Sequence, residues 1–307
     1  MKKILVATEK PFAKAAVDGI KKVADQAGFE TILLEKYPDF TTLSKAAESV
    51  DAMIVRSDKV TQALVDGAKN LKIVVRAGAG YDNVDLDACT RKGIVVMNTP
   101  GQNANAVAEL AIGMMIYMAR NLFTAGSGSE LKGKTLGIQA FGNVGKLVAE
   151  IARGMGMKVI ALDPFVSDEI MKEKGVEPVH DIKALYSASD YLSLHIPALD
   201  STRKSIGYEL AALMPKGGTL INTARKEVID EDGLYKAMQE RTDLKYATDV
   251  APEALTAFTE SFGNRFFATP KKMGAETAEA NINAGIAAAE QIADYFKTGN
   301  TRFKVNK

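Results

Sequence analysis

The sequence predicts an α/β protein made of two doubly wound parallel-sheet domains with a cleft between them. The first observation is alternation. Short runs rich in Val, Ile and Leu recur along the chain, and most are followed by a segment whose apolar residues are spaced for a helix. Parallel strands need a crossover between them, so this order implies sheets covered by helices on both faces. The second is size. A chain of 307 residues, 47% apolar and 25% charged, has the balance of a globular protein and enough length for two cores.

Taken in order, residues 3–8 read as a strand and 12–27 as a helix, by their apolar spacing. A strand at 31–35, a helix through 42–50 and strands at 52–56, 72–76 and 94–97 complete a first sheet, which ends near Pro100 and Gly101. Residues 104–120 form a long apolar helix rich in Ala and Met, read as a core helix, and the polar stretch around Ser127 is a linker turn. A strand at 135–140, a glycine turn, a helix from Asn143 and a strand ending at Asp163 follow. Further strands fall at 191–195, 219–222, 246–249 and 266–269. The helix expected at 275–296 returns the chain to the first domain and leaves 302–307 as an end strand or tail. The domains are therefore expected at 1–100 plus 278–307, discontinuous, and at 101–277.

Charge and composition exclude several classes. A net charge of +1 offers no electrostatic case for nucleic acid or an anionic membrane. One cysteine, Cys89, forbids an internal disulfide and suits a reducing compartment. Met1, Lys2 and Lys3 resemble a signal start, but the polar run from Thr8 to Pro11 interrupts it, and no other run approaches transmembrane length. A cytoplasmic protein with no metal site is expected.

The segment 134–163 carries the clearest chemistry. Gly142 and Gly145 stand at the second and third positions of a Gly-x-Gly-x-x-Gly fingerprint, with Ala140 at the first. Such a turn lets backbone approach a pyrophosphate, while Asn143 and Val144 open a helix whose free N–H groups face it. Asp163, 18 residues after Gly145, suits a ribose 2′-hydroxyl and repels a 2′-phosphate, which favours NAD over NADP. The competing reading is an ordinary βαβ unit whose glycines only allow tight packing. Strand, turn, helix, strand and acid in register favour the dinucleotide site, a Rossmann-like domain.

Six stretches together resemble the D-isomer-specific 2-hydroxyacid dehydrogenases over nearly the whole chain. They are 76–85 (Arg-Ala-Gly-Ala-Gly-Tyr-Asp-Asn-Val-Asp), 95–100, 107–109, the fingerprint, 195–197 and 221–225. Within that family the likeness is to its short phosphoglycerate-oxidising members. The resemblance implies NAD-dependent oxidation of D-3-phosphoglycerate, the first step of serine synthesis, by a homodimer formed through the nucleotide domain. It implies that Arg225 grips the substrate carboxylate, an assignment a guanidinium's paired donors suit. Gly78, Ala79 and Gly80 would hold that carboxylate through backbone N–H groups. Asp249, with Thr223 and Ala224 beside it, would meet the nicotinamide carboxamide, and His195, Pro197 and Thr202 would line the adenine side.

One departure matters. Where the family has its proton-transfer histidine after Thr269 and Pro270, this chain has Lys271, followed by Lys272 as a fallback. An unperturbed lysine titrates near about 10.4, so Arg225 and desolvation would have to lower it for a base, or it would act as an acid in keto-acid reduction. Glu253, one place earlier than a common family spacing, is carried over as the carboxylate paired with Lys271. A phosphate needs converging cations and hydroxyls, and Arg56, Ser57, Lys59 and Arg76 are the candidates. A glyoxylate, hydroxypyruvate or D-lactate enzyme is the alternative, kept open by a shortened Arg56 loop. An NAD(H)-sensing binding protein is the second. No serine-sensing module is expected after the last helix.

Overall fold

The computed structural model describes all 307 residues and divides them into two units, Met1–Asn103 with Glu276–Lys307, and Ala104–Ala275. The first unit runs β1 (Lys2–Thr8), α1 (Lys14–Gln26), β2 (Phe29–Glu35), α2 (Phe40–Ala47), β3 (Ala52–Val55), α3 (Gln62–Gly67), β4 (Ile73–Arg76), α4 (Leu86–Arg91) and β5 (Val95–Asn98). Its five strands are parallel, in the order β2-β1-β3-β4-β5. Side chains alternate along each strand, so Leu5, Met53 and Val74 enter one core while Ile4, Ile54 and Ile73 enter the other. Burial on both faces is why the inner parts of β1, β3 and β4 read as unbroken apolar runs.

The second unit begins with α5 (Ala104–Ala119) and continues through β6 (Thr135–Gln139), α6 (Asn143–Gly154), β7 (Lys158–Leu162), α7 (Asp168–Glu173), β8 (Glu177–Pro178), α8 (Ile182–Ser187) and β9 (Tyr191–Leu194). There follow α9 (Tyr208–Ala211), β10 (Thr219–Asn222), α10 (Glu231–Glu240), β11 (Lys245–Thr248), α11 (Leu255–Phe262) and β12 (Phe266–Ala268). The parallel order β12-β11-β10-β9-β6-β7-β8 reverses direction between β6 and β9, the kind of switch point where open α/β sheets leave a crevice. Pairing aligns Gln139 with Leu162 and Leu194, Leu194 with Asn222, and Asn222 with Thr248. The loops after all these strands therefore leave from one edge. Every candidate residue of this unit lies on one of them or at the start of α6.

Finally α12 (Ala278–Thr298) returns to the first unit, where Ala284, Ala288, Ala289 and Ile292 pack under β1, β3 and β4. The expected end strand at 302–307 reduces to one antiparallel bridge, Met97 with Lys304, and the Asn306 side chain pins the tail to Val96 and Ile94. Helices α3 and α4 were not expected. At six residues each they are too short to show a period, and only Thr61 and Asp85, which cap them by accepting from Leu64 N and Ala88 N, announce them. No helix is long and apolar enough to cross a membrane.

Candidate functional site

The glycine turn between β6 and α6 is shaped for something outside the chain. A Cβ on Gly145 would strike the Ala140 carbonyl, so packing alone explains that glycine. A Cβ on Gly142 would meet nothing within 4 Å, so the chain itself sets no demand for glycine there. Gly142 is also the N-cap of α6 and supplies no side-chain cap. The first bond into the helix is Lys146 N–H to Gly142 O at 3.0 Å, which leaves the N–H groups of Asn143, Val144 and Gly145 without acceptors in the chain. Beside them the Asp163 carboxylate is held in place by the N–H groups of Phe141 and Phe165, each at 2.8 Å. These groups fit a dinucleotide: open donors for a pyrophosphate and a fixed acid for a ribose.

Ala140 sits at φ +78°, a left-handed conformation that disfavours a Cβ by about 1–2 kcal/mol. Glycine would relieve that strain but enlarge the unfolded ensemble, which costs about 0.4–1 kcal/mol. Ala140→Gly is expected to stabilise the protein by about 0.5–1 kcal/mol in urea unfolding. A lower midpoint would show that the turn is not strained.

At the end of β10 the buried Asn222 side chain staples the next turn. Its Oδ1 accepts from Ala224 N and its Nδ2 donates to Arg225 O, both at 3.0 Å. Thr223 is buried and its hydroxyl has no partner. Such an orphan group is uncommon in a native fold and points to a missing partner. Arg225 is half-buried, donates one N–H to Ala224 O at 2.9 Å, and meets no carboxylate. Most of its five donors remain free in a fixed fork. The role of Asn222 was not read from the sequence, although the residue lies inside the 221–225 motif.

Two carboxylates have partners within the chain. Asp249, the residue expected to meet the carboxamide, is 1% exposed, and its oxygens accept from Thr269 Oγ1 (2.9 Å), Met273 N (2.7 Å) and Gly274 N (2.8 Å). The donors of the 269–274 loop converge on it, so Asp249 fixes the segment that carries Lys271. Glu253 was expected to pair with Lys271. Its carboxylate meets Lys226 at 3.1 Å, and its side chain is 80% exposed. The reason is the turn before α11: Glu231 accepts from Glu253 N (2.9 Å) and Ala254 N (3.0 Å), which aims Glu253 toward Lys226. The Glu253 carboxylate raises the Lys226 ammonium above its ordinary range. Lys271 is exposed and forms no ion pair.

His195 follows β9. Its N–H donates to Gln139 O, and its ring Nε2 lies 3.0 Å from Ser193 Oγ. Although part of the residue reaches the surface, desolvation pushes the ring from 6.5 down to about 4, so it is neutral near pH 7. The unfolded chain takes up that proton first, so His195 makes stability fall as pH drops from about 6.5 toward 4. His195→Gln is expected to flatten that slope in denaturant titrations. Thr202 spends its hydroxyl on the turn, donating to Pro197 O at 2.6 Å and accepting from Leu199 N at 2.8 Å.

In the first unit the four phosphate candidates differ in their surroundings. The Arg56 guanidinium donates to Lys10 O (3.1 Å), Pro11 O (3.3 Å) and Asn281, and lies 5.2 Å over the Phe12 ring. It ties the loop after β1 to the start of α12. Ser57 and Lys59 are exposed. Arg76 Nε donates to Arg56 O at 3.0 Å, and a Cβ on Gly78 (φ +146°) would collide with its guanidinium. The N–H groups of Ala79 and Gly80 find no acceptor in the chain, while Gly78 N–H bonds Arg76 O at 2.8 Å. Asp58, not among the expected site residues, is buried and sets this loop by accepting from Glu9 N, Arg56 N and the Tyr37 hydroxyl. Burial and that carboxylate raise the Tyr37 phenol.

Comparison with known proteins bears on both units. Residues 104–270 match the family model described as D-isomer specific 2-hydroxyacid dehydrogenase, NAD binding domain. The chain is 38% identical over 265 residues to a D-3-phosphoglycerate dehydrogenase of Methanocaldococcus jannaschii, covering 81% of this chain and 50% of that protein. It is 39% identical over 270 residues to a hydroxypyruvate reductase of Thermotoga maritima, covering 81% and 86%. Among solved structures, the NAD+-bound 3-phosphoglycerate dehydrogenase of Entamoeba histolytica matches with a TM-score of 0.90 and 51% identity, over 100% of this chain and 99% of that one. The chain spans about half the length of the curated phosphoglycerate dehydrogenases it matches.

Proposed function

Because this chain belongs to the D-isomer-specific 2-hydroxyacid dehydrogenases and carries their NAD-binding domain, we propose that it oxidises D-3-phosphoglycerate to 3-phosphohydroxypyruvate. The reaction would open serine biosynthesis, in a cytoplasmic homodimer. The observation that carries the reading is Arg225, a half-buried guanidinium without a carboxylate partner, on the same strand-end edge as the uncapped glycine turn.

Bound NAD supplies a nicotinamide ring that accepts a hydride from C2 of the substrate. The α6 N-terminus and Gly142 hold its pyrophosphate, Asp163 its adenosine ribose, His195 and Pro197 the adenine side, and Thr223 and Ala224 the nicotinamide side. Arg225 grips the substrate carboxylate and stabilises the carbonyl oxygen as it forms. Lys271 takes the C2 hydroxyl proton during oxidation and returns it in the reverse direction. The N–H groups of Ala79 and Gly80 form a small anion nest for the carboxylate. Ser57, Lys59 and Arg76 answer the phosphate, with Arg56 holding their loop. Glu253 acts on the reaction only by leaving Lys226 for Lys271.

The homodimer reading draws on the end of α5. There Asn121, Leu122 and Phe123 take left-handed φ values of 52°, 58° and 56° in succession, and Phe123 is 69% exposed. The Phe123 ring meets Tyr117 edge-on at 5.1 Å and keeps its other side open, and three successive non-glycine residues in this conformation are unfavourable unless something further holds them.

The engagement of Arg56 favours one second reading, an enzyme of hydroxypyruvate, glyoxylate or D-lactate, which needs no phosphate site. Following NADH formation from NAD and each D-2-hydroxy acid separates the two. Turnover of D-3-phosphoglycerate is expected. Turnover of unphosphorylated acids alone would install the second reading.

A further inference from the structure

Within the first unit, the segment between β3 and α3 is held from the loops after four neighbouring strands. At its centre Asp58, 7% exposed, carries a carboxylate that forms no ion pair. A buried charge without a counter-charge is costly unless donors surround it. Its Oδ1 accepts from Glu9 N at 2.7 Å and from the Tyr37 hydroxyl, and its Oδ2 from Arg56 N at 3.2 Å. Glu9 follows β1, Tyr37 follows β2 and Arg56 follows β3, which lie side by side in the sheet. From the loop after β4, Asn83 Nδ2 donates to Arg56 O (3.2 Å) and to Asp58 O (2.7 Å). Lys36, immediately before Tyr37, takes φ +50°, a conformation that a residue with a Cβ keeps only where its neighbours hold it. What this frame leaves open is the segment itself. The N–H groups of Ser57, Asp58 and Lys59 find no acceptor in the chain, and the Ser57 and Lys59 side chains are exposed.

We propose that Asp58, with Tyr37 as its hydroxyl donor, is the positioning residue that sets the preference for a phosphorylated over an unphosphorylated acid. This rests on the reading that residues 57–59 answer the substrate phosphate. Asp58 is buried, so it acts through that segment and not on a ligand. Its three donors fix the chain from Arg56 to Asp58 before any anion arrives. The open N–H groups and the Ser57 and Lys59 side chains are then already in place, and little binding energy goes into ordering them. An acid without a phosphate makes no demand on the segment, so it loses nothing when the frame loosens. Burial and the Asp58 carboxylate raise the Tyr37 phenol, which therefore stays a donor at neutral and mildly alkaline pH.

Steady-state kinetics of the full chain with NAD and either D-3-phosphoglycerate or D-glycerate test this in wild type, Asp58→Asn and Tyr37→Phe. Asparagine turns an N–H toward one of the backbone donors, and phenylalanine keeps the ring but removes the hydroxyl. Each variant is expected to lower the ratio of kcat/KM for the two acids by about tenfold or more, the worth of one hydrogen bond to a charged group. The loss should fall on KM for D-3-phosphoglycerate, with its kcat and the D-glycerate kinetics staying within about twofold of wild type. A merely structural role would lower kcat for both acids together and leave the ratio alone. Should Asp58→Asn fail to fold, Tyr37→Phe decides. A ratio unchanged in either folded variant, or lowered only through kcat, would overturn the inference while the wild-type preference upholds the phosphate reading. No preference in the wild type would overturn both.

Discussion

Arg225→Lys is expected to lower kcat/KM for the 2-hydroxy acid by about 10²–10³-fold, the usual consequence of losing a donor to developing negative charge. NADH affinity, read by fluorescence titration, should stay within twofold. The geometry explains the size. Asn222 bonds both Ala224 N and Arg225 O, so the backbone is fixed before the side chain leaves it. One N–H then anchors the guanidinium to Ala224 O. The remaining donors lie in one plane and suit a carboxylate or an oxyanion two at a time. A lysine keeps the charge but loses both the anchor and the planar fork. Most of the loss should fall on kcat if Arg225 answers charge that appears during reaction, and on KM if it only grips the carboxylate. Wild-type kinetics in Arg225→Lys would remove the residue from the mechanism.

Lys271→Ala is expected to cost about 10²–10⁴-fold in kcat, the range for a missing proton carrier. Lys271→His should restore part of it and move the pH profile for oxidation toward neutrality, because imidazole releases its proton near about 6.5. The Asp249 clamp makes a linked prediction. Asp249→Asn replaces one accepting oxygen by an amide that faces a backbone N–H, which leaves buried donors unsatisfied at about 1–3 kcal/mol each. Its kcat should therefore fall with that of Lys271→Ala, along with a loss of stability that Lys271→Ala does not share. Glu253→Gln should matter far less, because the exposed Lys226–Glu253 pair is solvent-screened. Full activity in Lys271→Ala would pass the proton role to another group, Lys272 first.

What the sequence revealed, and what it hid, follows from range. The doubly buried strand β3 and the first three residues of β4 are continuous apolar runs, so their burial is written locally. The glycine turn was legible for the same reason, since Gly142, Gly145 and Asp163 act within one βαβ unit. The Asp249 clamp was not. Its partners lie 20 to 25 residues on, and nothing local says that the 269–274 loop folds back onto it. Arg56 could be placed at a strand end, but its bond to Asn281 spans 225 residues and depends on where α12 docks. Glu253 was assigned by spacing, and spacing carries no trace of the Glu231 contacts that turn it toward Lys226. Asp58 looks like any charged loop residue until Tyr37 and Glu9 close over it.

A dehydrogenase that recognises a phosphorylated 2-hydroxy acid discriminates by the phosphate. The ratio of kcat/KM for D-3-phosphoglycerate to that for D-glycerate, both with NAD, tests it most directly. The ratio is expected to exceed about 100, the worth of one or two charge-assisted hydrogen bonds at about 1.5–3 kcal/mol each, and to shrink in Lys59→Ala. A ratio near or below one would mean that the enzyme does not recognise the phosphate.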